Sequence, residues 1–163
     1  MVIQDNSSIG LSKDANRIEA GSEIGLVGNK LGLGFLSRSS LVFDANRKTI
    51  LGIADLQLWH RTEDKANNTT KIYKGQLIEE KESYIWIKAS NSIKDEMQNA
   101  KSITIIQDTE GDIYDQFCLI ADDKTNLIIC SRDNRLLESG DGLHQVLASS
   151  QKLGSYTIEV YGE

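Results

Sequence analysis

The sequence predicts an α/β fold built on a mixed sheet, in which a three-strand antiparallel meander is followed by parallel strands linked through helices. Three features predict it. Ser39–Asp44 (SSLVFD) and Thr49–Trp59 (TILGIADLQLW) are apolar, β-prone runs separated by Ala45-Asn46-Arg47-Lys48, a hairpin signal. Residues 102–107, rich in β-branched Ile and Thr, precede a helix-like segment and then Asn126–Ser131 (NLIICS), the β-α-β pattern of a parallel crossover. The first and fourth predicted strands each run into the same dipeptide, Gln4-Asp5 and Gln107-Asp108.

Met1–Gln4 is the first strand and stops at Asp5, before the polar run Asn6-Ser7-Ser8. Residues 6 to 34 hold many polar residues and glycines and read as a long connection. The glycines do not make a nucleotide P-loop, because Lys30 is followed by Leu31 where a Ser or Thr would bind magnesium. After the hairpin, Arg61–Lys71 is charged and without periodicity, a surface loop. Leu77–Ala100 places Ile78, Ile85, Trp86, Ile93 and Met97 at helical spacings, and its second half is a helix. The strand at 102–107, a helix from about 111 to 121, the strand at 126–131, a helix over Gly142–Gln151 and the alternating strand Ser155–Tyr161 complete the order β-β-β-α-β-α-β-α-β. The division expected is one α/β domain over 1–150 and the start of a β-rich segment over 151–163.

Composition narrows the function classes. A chain of 163 residues buries roughly 70% of its unfolded surface and needs no disulfide staple. Its hydrophobic content of 39% and charged content of 26% are those of an ordinary globule, with no apolar run of membrane-spanning length. The start shows no basic, apolar secretory leader, so a cytoplasmic protein is expected. Cys118 and Cys130 lie in apolar segments without metal or redox spacing and read as packing residues. With His60 and His144 alone, a multi-histidine metal cluster is excluded, so a metal would be held by carboxylates, which favour Mg²⁺ or Mn²⁺. A net charge of −6 leaves any nucleic-acid contact to a local site.

Several short motifs, in order, resemble the DDE transposases of bacterial insertion sequences, the group of the kanamycin-resistance cut-and-paste transposon. Val2-Ile3-Gln4-Asp5-Asn6-Ser7-Ser8-Ile9 is similar to the first-acid motif of that family. Gly32-Leu33-Gly34 with Arg38-Ser39-Ser40-Leu41, then Leu51-Gly52-Ile53 and Trp59-His60-Arg61, resemble its second and third strands. Glu80-Lys81-Glu82-Ser83 with Trp86 resembles its Lys-Glu-Ser-x-x-Trp segment, and Asp108-x-Glu110-Gly111-Asp112-Ile113 its Asp-Arg-Glu-x-Asp-Ile motif. The chain departs from the pattern at Thr109 and Cys130, where Arg is usual, and at Arg38, where His is frequent. Its third-acid signature, Tyr-x2-Arg-x3-Glu-x6-Lys, has no counterpart here.

The resemblance implies a ribonuclease H-like fold, shared with retroviral integrases, and metal-dependent cleavage and strand transfer of DNA. It implies that Asp5 bridges two Mg²⁺ or Mn²⁺ ions and that Asp108 binds one, with transposon-end DNA and a second copy of the protein as partners and no membrane. The chain then reads as the first part of a catalytic core, inactive alone because the third acid is missing. The alternative is an inactive remnant that serves only as a DNA-binding or assembly module. A magnesium-dependent phosphatase or receiver-like domain fits less well, since those folds begin with parallel β-α units.

Each residue also has a plainer reading. Asp5 and Asp108 can cap the turns beyond their strands. Glu110 and Asp112 can be solvated first-turn acids, with Asp112 a second-layer partner in the family reading. Arg132 and Arg135 can contact phosphates or make surface ion pairs. Trp86 is expected in the core, His144 packed in its helix, and Glu80 and Glu82 on a solvated face.

Overall fold

One long strand, β3 (Leu33–Asp44), carries neighbours along both edges, and its alternation of buried and half-buried positions fixes which face of the sheet is covered. A computed structural model of the protein describes residues 1–18, 24–27, 32–61, 75–155 and 157. The described strands are β1 (Val2–Gly10), β2 (Gly25–Leu26), β3, β4 (Thr49–Trp59), β5 (Ile103–Gln107) and β6 (Thr125–Ile129). The order across the sheet is β2-β3-β1-β5-β6, with β4 also paired to β3. β1 runs antiparallel to β3 from Val2 opposite Val42 to Gly10 opposite Gly34, and β4 runs antiparallel to β3 on its other edge. β5 is parallel to both β1 and β6. The expected mixed α/β sheet, antiparallel on one side and parallel on the other, is therefore present.

β1 is longer than expected. It does not end at Asp5 but continues through Asn6-Ser7-Ser8 to Gly10, because pairing with β3 satisfies its backbone whatever its side chains are. Much of the connection expected over 6–34 is thus ordered: β1, a 3-10 helix over Ser12–Arg17, β2 and the start of β3. The hairpin falls where the sequence placed it, with Lys48 at φ 53° closing the turn into β4. Residues 62–74, in the expected loop, and most of the expected strand at 155–161 lie outside the described residues.

Helix α1 (Tyr84–Glu96) buries Trp86, Ala89, Ser90 and Ile93, the i, i+3, i+4, i+7 stripe of an amphipathic helix, together with Ile87. That stripe packs on Val2, Val42, Ile103 and Ile105, and Ile120 of the short helix α2 (Tyr114–Ile120) completes the core. Each such aliphatic side chain contributes about 1.5–3 kcal/mol by leaving water. The helix expected over 111–121 is divided into a 3-10 turn, Thr109–Gly111, and α2, because Asp108 closes the turn first.

Contacts divide the chain into two compact units, Met1–Cys130 and Ser131–Glu163. The second contains α3 (Leu143–Ser149), whose first amides are held by the Arg135 carbonyl at 2.7 Å and by Asn134 Oδ1 at 2.9 Å. Three expectations about packing are corrected. Cys118, Cys130 and His144 are exposed, the cysteines as free thiols; in α2 Gln116 and Ile120 take the buried positions, Cys130 follows the end of β6, and α3 buries none of its residues. Among the described residues no helix is long and apolar enough to cross a membrane.

Candidate active site at the ends of β1 and β5

The parallel pairing of β1 with β5 places Val2 beside Ile105 and Ile3 beside Ile106. Two residues further along each strand in the same register stand Asp5 and Asp108. The expected adjacency of the two acid-bearing strands is observed. Strand alternation turns Asp5 away from buried Gln4, and Asp108 away from buried Gln107, toward the face opposite α1 and α2.

Each carboxylate is partly engaged. Asp5 Oδ1 accepts the Asn6 amide at 2.8 Å. Asp108, at φ −79° and ψ −167°, accepts the Glu110 amide at 2.9 Å through Oδ1 and so caps the 3-10 turn. The capping role is therefore real, and the Oδ2 atom of each acid makes no hydrogen bond to the described residues. Both side chains are exposed.

Glu110 does not join the pair. Its Oε2 accepts Asn6 Nδ2 at 2.5 Å, and Asn6 Oδ1 in turn accepts Arg38 Nε at 2.8 Å, so Glu110 is held by a relay reaching back to β3. Asp112 is buried just beyond the turn, and Arg132 and Arg135 belong to the second unit, Arg132 pairing with Asp133 at 3.2 Å. Among the described residues no group of three His, Cys, Asp or Glu side chains is placed to hold a metal ion.

Arg38 is the residue the sequence reading undervalued. It is wholly buried, with its guanidinium carbon 3.5 Å from the centroid of the Trp86 ring and 5.7 Å from that of Trp59. Among the described residues Nη1 and Nη2 have no hydrogen-bond partner. Burial lowers its pKa to about 9 against the opposing fields of Glu110, Asp108, Asp55 and Glu82, and the group stays charged at neutral pH. The signal available in the sequence was slight: Arg38 stands just before the expected strand Ser39–Asp44, and both tryptophan-bearing motifs follow it in the chain.

Those two motifs meet. Arg61 makes a forked pair with Glu82, at 2.7 to 3.0 Å, and Trp59 Nε1 donates to the same carboxylate at 3.4 Å. The hydrogen bond to Glu82 raises the Arg61 pKa. Beside this pair lies an open cleft of about 490 Å³, lined by Trp59, Arg61, Lys81, Glu82, Tyr84 and Lys88 among others. Trp86 is in the core as expected, but Glu82 is an ion-pair partner and not a solvated acid.

In comparisons of the sequence with known proteins, no family model and no curated protein matches the chain.

Proposed function

We propose that this chain carries the first two acids of a DDE transposase core on a ribonuclease H-like sheet, acting in metal-dependent phosphoryl transfer on DNA. The observation that carries the reading is the register of Asp5 and Asp108 on neighbouring parallel strands, in a sheet whose antiparallel pairings among β1–β4 precede the parallel strands β5 and β6. The ordered motifs of the sequence support the same assignment.

The donor set fits Mg²⁺ or Mn²⁺: two carboxylates on one face and at one register, with Cys130 following Ile129 on the neighbouring strand and no third His, Cys, Asp or Glu among the described residues completing a metal-holding group. Asp5 and Asp108 would hold the ion. Bound there, a divalent ion would supply activation of an oxygen nucleophile and neutralisation of phosphate charge. The protein's own contribution is to fix the two acids at adjacent strand positions and to tie Glu110 down through Asn6. Two ionised acids about 4 Å apart repel by about 4 kcal/mol at an effective dielectric near 20, which the ion relieves. Two ligands leave most of an octahedral shell to water, so binding is weak and the chain alone does not cut DNA.

Thermal melts with and without Mn²⁺ test the reading. At ten times its Kd, Mn²⁺ raises wild-type stability by about 1.4 kcal/mol. Asp5→Asn and Asp108→Asn abolish the rise, and without metal Asp108→Asn is as stable as wild type or slightly more so. A wild-type melting temperature indifferent to millimolar Mn²⁺, with Asp108→Ala destabilised by about 1 kcal/mol, would make Asp108 a turn cap and nothing more.

A further inference from the structure

The backbone ladder between β1 and β5 is short. Its paired residues are Val2 with Ile105 and Ile3 with Ile106, and both acids lie beyond it. What continues the clasp toward them is made of side chains. Gln107 Nε2 donates to Gln4 Oε1 at 2.5 Å across the two strands, directly before the acid positions. Gln4 Nε2 donates to Ser40 Oγ of β3 at 3.1 Å. From the helix layer, Ser90 Oγ donates to Gln4 Oε1 at 3.4 Å and accepts Gln116 Nε2 at 2.7 Å and Gln107 Nε2 at 3.5 Å. All five side chains are at least 98% buried.

We infer that this buried polar cluster is a positioning device for the acid pair, with Gln4 and Gln107 as the positioning residues that carry the β1–β5 register up to Asp5 and Asp108. The inference rests on the two-acid reading above and gives it a mechanical basis. Five elements each contribute one group: β1, β3, β5, α1 and α2. A register shift of one residue would reverse every side chain of β1, and a shift of two would move Asp5 about 7 Å along the strand from Asp108. An apolar core resists such shifts only through shape, whereas these directional bonds form in one register, even though Gln107 Oε1 and Gln116 Oε1 have no hydrogen-bond partner among the described residues. Gln107 is also pinned from the other side. A Cβ at buried Gly111 would stand 2.5 Å from Gln107 Oε1 and 2.8 Å from its Cβ, so the turn carrying Asp108 and Glu110 closes directly on this side chain. The acids and the glutamines thus occupy opposite faces where β1 passes the end of β5, the glutamines setting where the acids stand.

The test replaces both glutamines by side chains of similar volume, Gln4→Leu with Gln107→Leu, and reads the register in two ways. The first needs no metal. With Cys118→Ser and Cys130→Ser as background, Asp5→Cys and Asp108→Cys are introduced together and oxidised. Neighbouring parallel strands bring Cα atoms within disulfide range, so cross-linking is expected with the glutamines present and lost without them. The second is Mn²⁺ affinity, expected to fall about tenfold in the double leucine variant. Ile93→Val, a core change that removes none of the cluster's hydrogen bonds, controls for destabilisation and leaves the affinity unchanged. If the double variant does not fold, Gln107→Met alone carries both readouts. Cross-linking and Mn²⁺ affinity that survive the glutamine changes would overturn the inference and leave the two-acid site standing. Glutamine-dependent cross-linking in a protein that binds no Mn²⁺ would remove the metal reading and leave the register device.

Discussion

The two faces of the sheet are unlike in a way that runs against the usual rule. The face under α1 and α2 carries Gln4, Arg38, Ser40 and Gln107 among its aliphatic residues, all of them buried. The bare face carries Ile3, Ile53, Leu56, Leu58 and Ile128, all exposed. Parallel strands normally have both faces covered, and among the described residues of Met1–Cys130 the helices α1 and α2 cover one face of β5 and β6. The contrast teaches that burial here follows the stripe of α1 and not the polarity of the strand. Once Trp86, Ala89, Ser90 and Ile93 had docked, every sheet residue beneath them had to be buried, polar or not. The polar ones are retained by bonding to one another or, for Arg38, by stacking on tryptophan.

The sharpest way to break this comparison is to truncate one isoleucine on each face. Ile105→Ala, under α1, should lower unfolding free energy in urea by about 3 kcal/mol. Ile53→Ala, 59% exposed, should change it by under about 0.5 kcal/mol. Equal losses would mean that the bare face is covered in solution. Next in size is Gly111→Ala, which drives a methyl into Gln107 and should cost about 2 kcal/mol, read in the same titration. A neutral result would show that the turn over the polar cluster is slack.

Arg38 gives a smaller effect with a definite sign. Its folded pKa of about 9 lies below the ordinary arginine value, because burial strips water from the charge. Between those values the unfolded chain binds more protons than the folded one, so stability rises with pH. Wild type should gain about 1.4 kcal/mol relative to Arg38→Met between pH 8 and pH 10. A difference that stays flat over that window would mean that the guanidinium is hydrated. The smallest expected effect is on the bare face, where Leu58→Ser should shift the melting midpoint by the equivalent of under about 0.5 kcal/mol.

Much of the architecture was legible because it rests on local signals. The Ala45–Lys48 turn between two β-prone runs gave the hairpin, the helical spacing of Trp86 and Ile93 gave α1, and the Ile-rich run before Asp108 gave β5. The end of β1 was misjudged because Asn6-Ser7-Ser8 looks like a turn, and only its pairing with β3 keeps it extended. The exposed positions of Cys118 and Cys130 were likewise invisible, since a cysteine in an apolar run can face either way.

For the candidate site the repeated Gln-Asp dipeptide was visible in the sequence, and the aspartates drew the attention because carboxylates carry chemistry. The glutamines carry the geometry. By itself the sequence determined the hairpin, the helix stripe and the two strands that run into acids, all set by residues within a few positions of one another. Only the tertiary structure decided that Gln4 and Gln107 meet, that Arg38 is stacked between Trp59 and Trp86, and that Glu110 is tied to Asn6. Those contacts join residues from 21 to 104 positions apart, and their partners are chosen by which face α1 covers, a choice that no single stretch of the chain contains.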